Sequence, residues 1–164
     1  MNTHINNKTP DSIYFESKKQ KAKEIYEAKK TIYSPYFQSQ VILNSDGFHH
    51  LQFSARRERS KQEQLLRFTL LPLGLYVIQK STTVQEYRKR LSPADKKSPR
   101  DGLTTIKTVE WWGFVAIFVK QDIKVRVVVR KVGNGALHFW SVMLHGKFRG
   151  NTEQKLYTES IENG

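Results

Sequence analysis

Apolar and cationic positions alternate most clearly in the last third of the chain. Residues 111–148 read WWGFVAIFVKQDIKVRVVVRKVGNGALHFWSVMLHGKF. Ile123, Val125, Val127 and Val129 alternate with Lys124, Arg126, Val128 and Arg130, and a period of two sends the two sets to opposite faces of a strand. The pattern predicts strands over residues 106–119, 123–132 and 136–144. Gln121-Asp122 and Gly133-Asn134-Gly135 serve as the hairpin signals between them. The Val and Ile face must pack on other elements, which leaves the Lys and Arg face open. The register of the last hairpin depends on its turn. A three-residue Gly-Asn-Gly loop sets Arg130 opposite His138 and Val128 opposite Trp140, so that Arg126, Arg130, His138 and Trp140 share the open face. A two-residue Asn-Gly loop sets His138 opposite Lys131 and turns Phe139 and Ser141 to that face instead. The first register keeps Arg and His together and buries Phe139 and Met143, which favours it.

Upstream the period lengthens toward that of a helix. Pro10 and Asp11 open a Lys-rich helix over residues 12–30, whose apolar stripe of Ile13, Ala22, Ile25 and Tyr26 is thin. Residues 36–43 alternate as a strand, and Asn44-Ser45-Asp46-Gly47 reads as a turn. Residues 48–59 form a loop or short helix. Ser60 and Glu63 make a capping box for a helix that carries Leu65, Leu66, Phe68, Leu70 and Leu71 into the core, and Pro72 kinks or restarts that helix. Thr83 and Glu86 make a second box, which predicts a short helix ending near Arg90. The Pro-, Ser- and Lys-containing residues 92–105 form a loop. The predicted fold is α+β, with N-terminal helices packed on a C-terminal antiparallel sheet of about four strands. Residues 1–10 read as a disordered arm, 11–148 as one basic domain and 149–164 as a frayed polar tail.

Charge narrows the choice of partners. The 164 residues hold 28 Lys and Arg against 15 Asp and Glu, a formal net charge of +13. A surplus of that size attracts polyanions, of which nucleic acid is the commonest. An anionic membrane is the weaker candidate, because no helix sets a clean apolar face against a Lys-rich one. No run reaches the length of a membrane span, and the N-terminal residues lack the apolar stretch of a signal peptide. The chain has no cysteine, which excludes disulfides, thiolate metal sites and a Cys nucleophile, and fits either a reducing cytoplasm or a protein that simply does without.

Two segments carry candidate chemistry. His49 and His50 lie just ahead of Arg56, Arg57 and Arg59, so proton-transfer and phosphate-binding groups are dense there. The last hairpin adds Lys124, Arg126, Arg130, Lys131, His138 and Trp140. Cleavage of RNA by its own 2′-hydroxyl needs a base, an acid and cations around the phosphorus, and these residue types provide all three. Walker, nucleophile-elbow and helical His-pair motifs are absent. Carboxylates are too sparse for two-metal chemistry, and no cofactor is expected. Glu110, beside Trp111 and Trp112, is the one acid in a strand-like setting, and an edge-strand charge explains it more simply than a general base.

The order of helix, strand, His- and Arg-bearing segment, apolar helix and antiparallel meander, together with VVVRKVGNGALHFWSV, resembles the ribonuclease superfamily of barnase, EndoU, the tRNA-cleaving colicins and the RelE toxins. Members borne by phages and mobile elements are the most similar. The resemblance covers residues 36–144. It implies a metal-independent, toxin-like endoribonuclease that acts on tRNA or mRNA and leaves a cyclic phosphate, with an inhibitor or antitoxin protein as a partner. Carried over by position, the implied catalytic residues are His50, Arg57, Arg130, His138 and Ser141, with Arg56, Arg59, Lys124, Arg126, Lys131 and Trp140 as nucleic-acid contacts. His49 and His50 are adjacent, and the sequence does not choose between them. A non-catalytic nucleic-acid-binding domain that uses the same basic sheet is the alternative. Convergence of His50 or His49 with Arg57, Arg130 and His138 in one cleft separates the two readings.

Overall fold

The computed structural model describes residues 11–93, 97–149, 152–155 and 160–162, so the expected arm at 1–10 lies outside the described residues. The elements run α1 (Ser12–Ala28), β1 (Thr31–Ser34), β2 (Ser39–Ile42), α2 (Ser45–Gln52), α3 (Lys61–Lys80), β3 (Glu86–Pro93), β4 (Ile106–Phe118), β5 (Ile123–Val132), β6 (His138–Arg149) and β7 (Thr152–Lys155). The α+β class is as expected, but the sheet is larger than about four strands. Six strands lie in the order β1-β2-β6-β5-β4-β3, and β7 adds to β6. The sheet is also mixed rather than antiparallel, because β2 runs parallel to β6 through the pair Ile42 and His138.

Long-range pairing accounts for the misread elements. The box at Thr83 and Glu86 starts no helix: residues 86–93 form β3, which pairs residue for residue with β4 from Glu86 opposite Gly113 to Pro93 opposite Ile106. Without β3 the long β4 would present an unpaired edge, and eight ladder pairs outweigh a local helix preference worth tenths of a kcal/mol per residue. Pro72 does not interrupt α3. Its missing N–H and its ring cost about 3 kcal/mol, but Phe68, Leu71, Leu75 and Ile78 on either side are buried, and each such side chain contributes about 1.5–3 kcal/mol. Asn44 to Gly47 is the start of α2 rather than a turn, with Asn44 as its N-cap.

Val125, Val127 and Val129 face α3 and are fully buried with Leu71, Ile78, Phe114 and Phe139 in the main core. Leu66, expected in that core, is 42% exposed, while the polar Gln64 and Arg67 turn inward. On α1, Phe15 packs on Phe68 of α3 and Ile13 points outward.

The opposite face of the sheet is not open along its middle. Val109, Trp111, Val128 and Ile161 form a second, smaller core there, with Val132 and Trp140 against it. Part of the segment expected to fray therefore packs. Residues 152–155 pair with β6, Ile161 covers Val128, and Glu162 forms an ion pair with Arg88 at 3.2 Å.

Candidate nucleic-acid cleft

The β5–β6 hairpin takes the favoured register at its turn, with Arg130 opposite His138. Val128 does not face Trp140, however. The pairing steps from Val129–Phe139 to Val128–Ser141, which leaves Trp140 as the extra residue of a β-bulge. Bulges re-aim side chains. Here Trp140 meets the His50 ring at 4.3 Å, tilted by 22°, and the Arg130 guanidinium at 4.3 Å from its ring centre.

Arg130 also lies 5.9 Å from the centre of Trp111, its cross-strand partner on β4, and Arg90 of β3 lies 5.4 Å from the same ring. His50, Trp140, Arg130, Trp111 and Arg90 thus form a ladder of rings and cations. It walls a cleft of about 440 Å³ that Asp46, His49, Phe53 and Glu162 also line. A second hollow of about 230 Å³, lined by Asn44, Lys107 and His138, shares Asp46, Arg130 and Trp140 with the first. Residues from α2, β3, β4, β5 and β6 therefore converge at one end of the sheet.

α2 lies against the start of β6 because residue 47 is glycine. A Cβ there would run into the Phe139 carbonyl oxygen. This close approach brings His49 and His50 to the cleft. His49 is exposed and stacks on Phe53 at 4.4 Å. His50 is 7% exposed, and its backbone carbonyl accepts from Arg59 Nε at 3.3 Å.

The Asn44 side chain settles the protonation of His138. Asn44 Oδ1 accepts from the Gly47 amide at 3.0 Å, so the other end of its amide, Nδ2, faces His138 Nδ1 at 3.0 Å. An amide nitrogen can only donate, so Nδ1 is the acceptor and the ring proton sits on Nε2. His138 is therefore a neutral hydrogen-bond donor. Its pKa is lowered chiefly by burial and further by Arg130, with Asp46 opposing.

The side chains of Arg59, Arg67 and Arg126 hydrogen-bond to a carbonyl, a hydroxyl and a carboxylate, whereas no such bond holds Arg130 among the described residues. Its Nε is buried without a partner among the described residues, as are the indole nitrogens of Trp111 and Trp140. Burial lowers its pKa, and Asp46 acts in the other direction. The charge is held between the faces of Trp111 and Trp140. Buried donors without partners call for a functional or structural cause, and an acceptor-rich ligand is one.

The remaining sequence-derived candidates lie elsewhere. Arg57 grips Glu63 with both terminal nitrogens, at 3.0 and 3.2 Å, beside the α3 N-terminus. Ser141 is fully buried and accepts from Arg67. Arg126 is 3% exposed and bonds to Glu86 and Met143, so it offers no open contact surface. Arg59 is buried, Lys124 pairs with Glu153 at 2.8 Å, and Arg56 is exposed on the loop after α2. Glu110 accepts from the Tyr87 hydroxyl at 2.6 Å and lies outside the cleft, next to Lys131. Sequence reasoning missed Asn44, Asp46, Arg90 and Trp111 as cleft residues. The signals were present but carried other readings: a turn for the first two, a helix for Arg90 and a strand core for Trp111.

Among the described residues no three His, Asp or Glu side chains group to hold a metal ion, and no helix is long and apolar enough to cross a membrane. No protein-family model, curated protein or solved structure matches the chain.

Proposed function

We propose that the cleft binds RNA and cleaves it by attack of the 2′-hydroxyl on the adjacent phosphorus. The observation that carries this reading is the convergence of His50, Arg130, His138 and Trp140 on two hollows that share Asp46, Arg130 and Trp140. A non-catalytic module would spread its cations along a groove instead of gathering them with imidazoles at one point.

The roles follow from the surroundings. Arg130 holds the phosphate, since it carries a charge that no carboxylate neutralises at contact distance among the described residues. His138, neutral with its proton on Nε2, donates to a phosphate oxygen as negative charge builds there. His50, fixed against Trp140, exchanges the proton, with Asp46, His49 and Glu162 as the other groups on the cleft wall that can give or take a proton. A base removes the 2′-hydroxyl proton, the 2′-oxygen bonds to phosphorus, the bond to the 5′-oxygen breaks, and an acid protonates that oxygen. The products are a 2′,3′-cyclic phosphate and a free 5′-hydroxyl. This chemistry belongs to the ribonuclease superfamily that the sequence resembles. An inhibitor protein and a tRNA or mRNA target follow from that resemblance alone.

The test is incubation of the folded protein with RNA in EDTA, with His50→Ala, Arg130→Ala and His138→Ala alongside. Wild type should cut RNA and bind DNA of the same sequence without cutting it. Loss of a proton-transfer His should slow cleavage by roughly 10²–10⁴-fold. RNA that is bound and stays intact would replace this reading with that of a binding module.

A further inference from the structure

A third hollow, of about 350 Å³, lies at the β5–β6 turn on the other face of the sheet, since Glu110 and Lys131 alternate with the cleft residues Trp111 and Arg130. Lys89, Lys107 and Lys131 line it with Thr108, Gly133 and Asn134, and Glu110 is its only acid among the described residues. Lys89 and Lys131 stand on either side of Glu110 in register across β3, β4 and β5. Neither lysine forms an ion pair with a described residue, while the Glu110 carboxylate is engaged by Tyr87. Two like charges beside one shared acid leave the hollow with surplus positive charge.

Lys107 lines both this hollow and the one that holds His138. Its stem runs along the hairpin turn, within 3.6 Å of where a Cβ on Gly133 would sit. Gly133 has φ +54, a conformation that suits glycine. The three hollows are thus in series. Arg130, Trp140 and Asp46 join the first to the second, and Lys107 joins the second to the third.

We propose that the lysine hollow is a second phosphate-binding site on the same strand, so that the protein takes a single-stranded polynucleotide several nucleotides long. This rests on the reading of the cleft as an RNA site and extends it to substrate length and form. A flexible single strand can pass from one recess to the next around the turn at residues 133–135. A stiff duplex presents its phosphates on a straight cylinder and cannot follow them into the recesses. Lysine suits this site because it meets phosphate as a point charge without demanding bidentate geometry.

The experiment is fluorescence anisotropy with 2′-O-methyl oligoribonucleotides, which cannot be cut, of two and eight residues, together with a duplex of the longer one. Wild type should bind the octamer at least 10-fold more tightly than the dinucleotide and more tightly than the duplex. Lys89→Ala/Lys131→Ala should weaken octamer binding by about 10-fold or more and leave the dinucleotide unchanged. It should also flatten the salt slope for the octamer by about 1.4, for two lost phosphate contacts on a single strand. Both lysines are surface residues, and an unchanged melting temperature will show that the variant is folded. Equal binding of dinucleotide and octamer, preference for the duplex, or an octamer affinity indifferent to the two lysines would each overturn the proposal. Cleavage of an unmodified dinucleotide reports on the catalytic cleft alone. If it is cut while the lysines prove irrelevant, the track fails and the cleft reading stands. If the lysines matter and no RNA is cut, the reverse holds.

Discussion

Asn44→Asp should invert the behaviour of His138. In the native protein the Asn44 side chain has two tasks: its oxygen caps α2 through the Gly47 amide, and its nitrogen donates to His138 Nδ1. Asp retains a capping oxygen and ranks with Asn as an N-cap, so α2 should keep its stability. The second carboxylate oxygen replaces the amide nitrogen about 3 Å from His138 Nδ1 and can only accept. Nδ1 must then carry a proton, and the imidazolium is favoured. A hydrogen bond involving a charged group contributes about 1.5–3 kcal/mol, so the His138 pKa should move upward.

The native His138 starts below its ordinary value of 6.5. The folded state then resists protonation, so its stability is full above the unfolded pKa and declines as pH falls below about 6.5 toward the folded pKa. In Asn44→Asp the folded pKa rises, so the folded state resists protonation less and the loss of stability as pH falls below about 6.5 should be smaller than in wild type. Nitrogen-15 NMR titration of the imidazoles reads both quantities, because the two ring nitrogens shift differently in each tautomer. Wild type should show the Nε2–H tautomer. Cleavage at neutral pH should fall in the variant, since the ring no longer sits as a neutral donor. A wild-type ring protonated at Nδ1, or a variant whose pKa does not move, would refute the argument.

Other perturbations test the framework around the cleft. Gly47→Ala forces a methyl group onto the Phe139 carbonyl, so it should destabilise by about 1–3 kcal/mol in urea titration and loosen the His50–Trp140 stack, seen as a change in indole fluorescence. Val127→Ala should cost roughly 1–3 kcal/mol, and Ile161→Ala should cost a measurable part of that range; a neutral Ile161→Ala would mean that the second core contributes nothing. The Arg57 guanidinium hydrogen-bonds Glu63 and holds its carboxyl down at about 2, so this contribution is present above about pH 4.5 and lost as pH falls toward 2. Glu63 is partly exposed, so the effect should be only tenths of a kcal/mol and should shrink in high salt; an acid-unfolding profile unchanged in Arg57→Ala would contradict it.

The sequence alone determined the parts whose cause is local. Alternation at residues 123–130 set which side chains of β5 meet α3, because a strand has only two faces and valines must leave water. The Ser60–Glu63 box marked the start of α3, since both bonds lie within one turn. The Gly-Asn-Gly turn favoured Arg130 opposite His138. The net charge pointed to a polyanion, and the side chains that could meet one were legible by type.

Tertiary structure decided what depends on partners far along the chain. Thr83 and Glu86 look like a helix start until β4 supplies an edge that must be paired. Arg126 has the parity of an open-face cation, yet Glu86 and Met143 take it out of solvent. Val128 has the same parity and is covered by Ile161, some thirty residues away. The bulge at Trp140 cannot be read from alternation, because one unpaired residue resets the parity of everything beyond it. The cleft itself assembles Asp46, His50, Arg90, Trp111, Arg130 and Trp140 from five separate elements. Local pattern sets which way a side chain can point, and the packing of distant segments sets what it meets there.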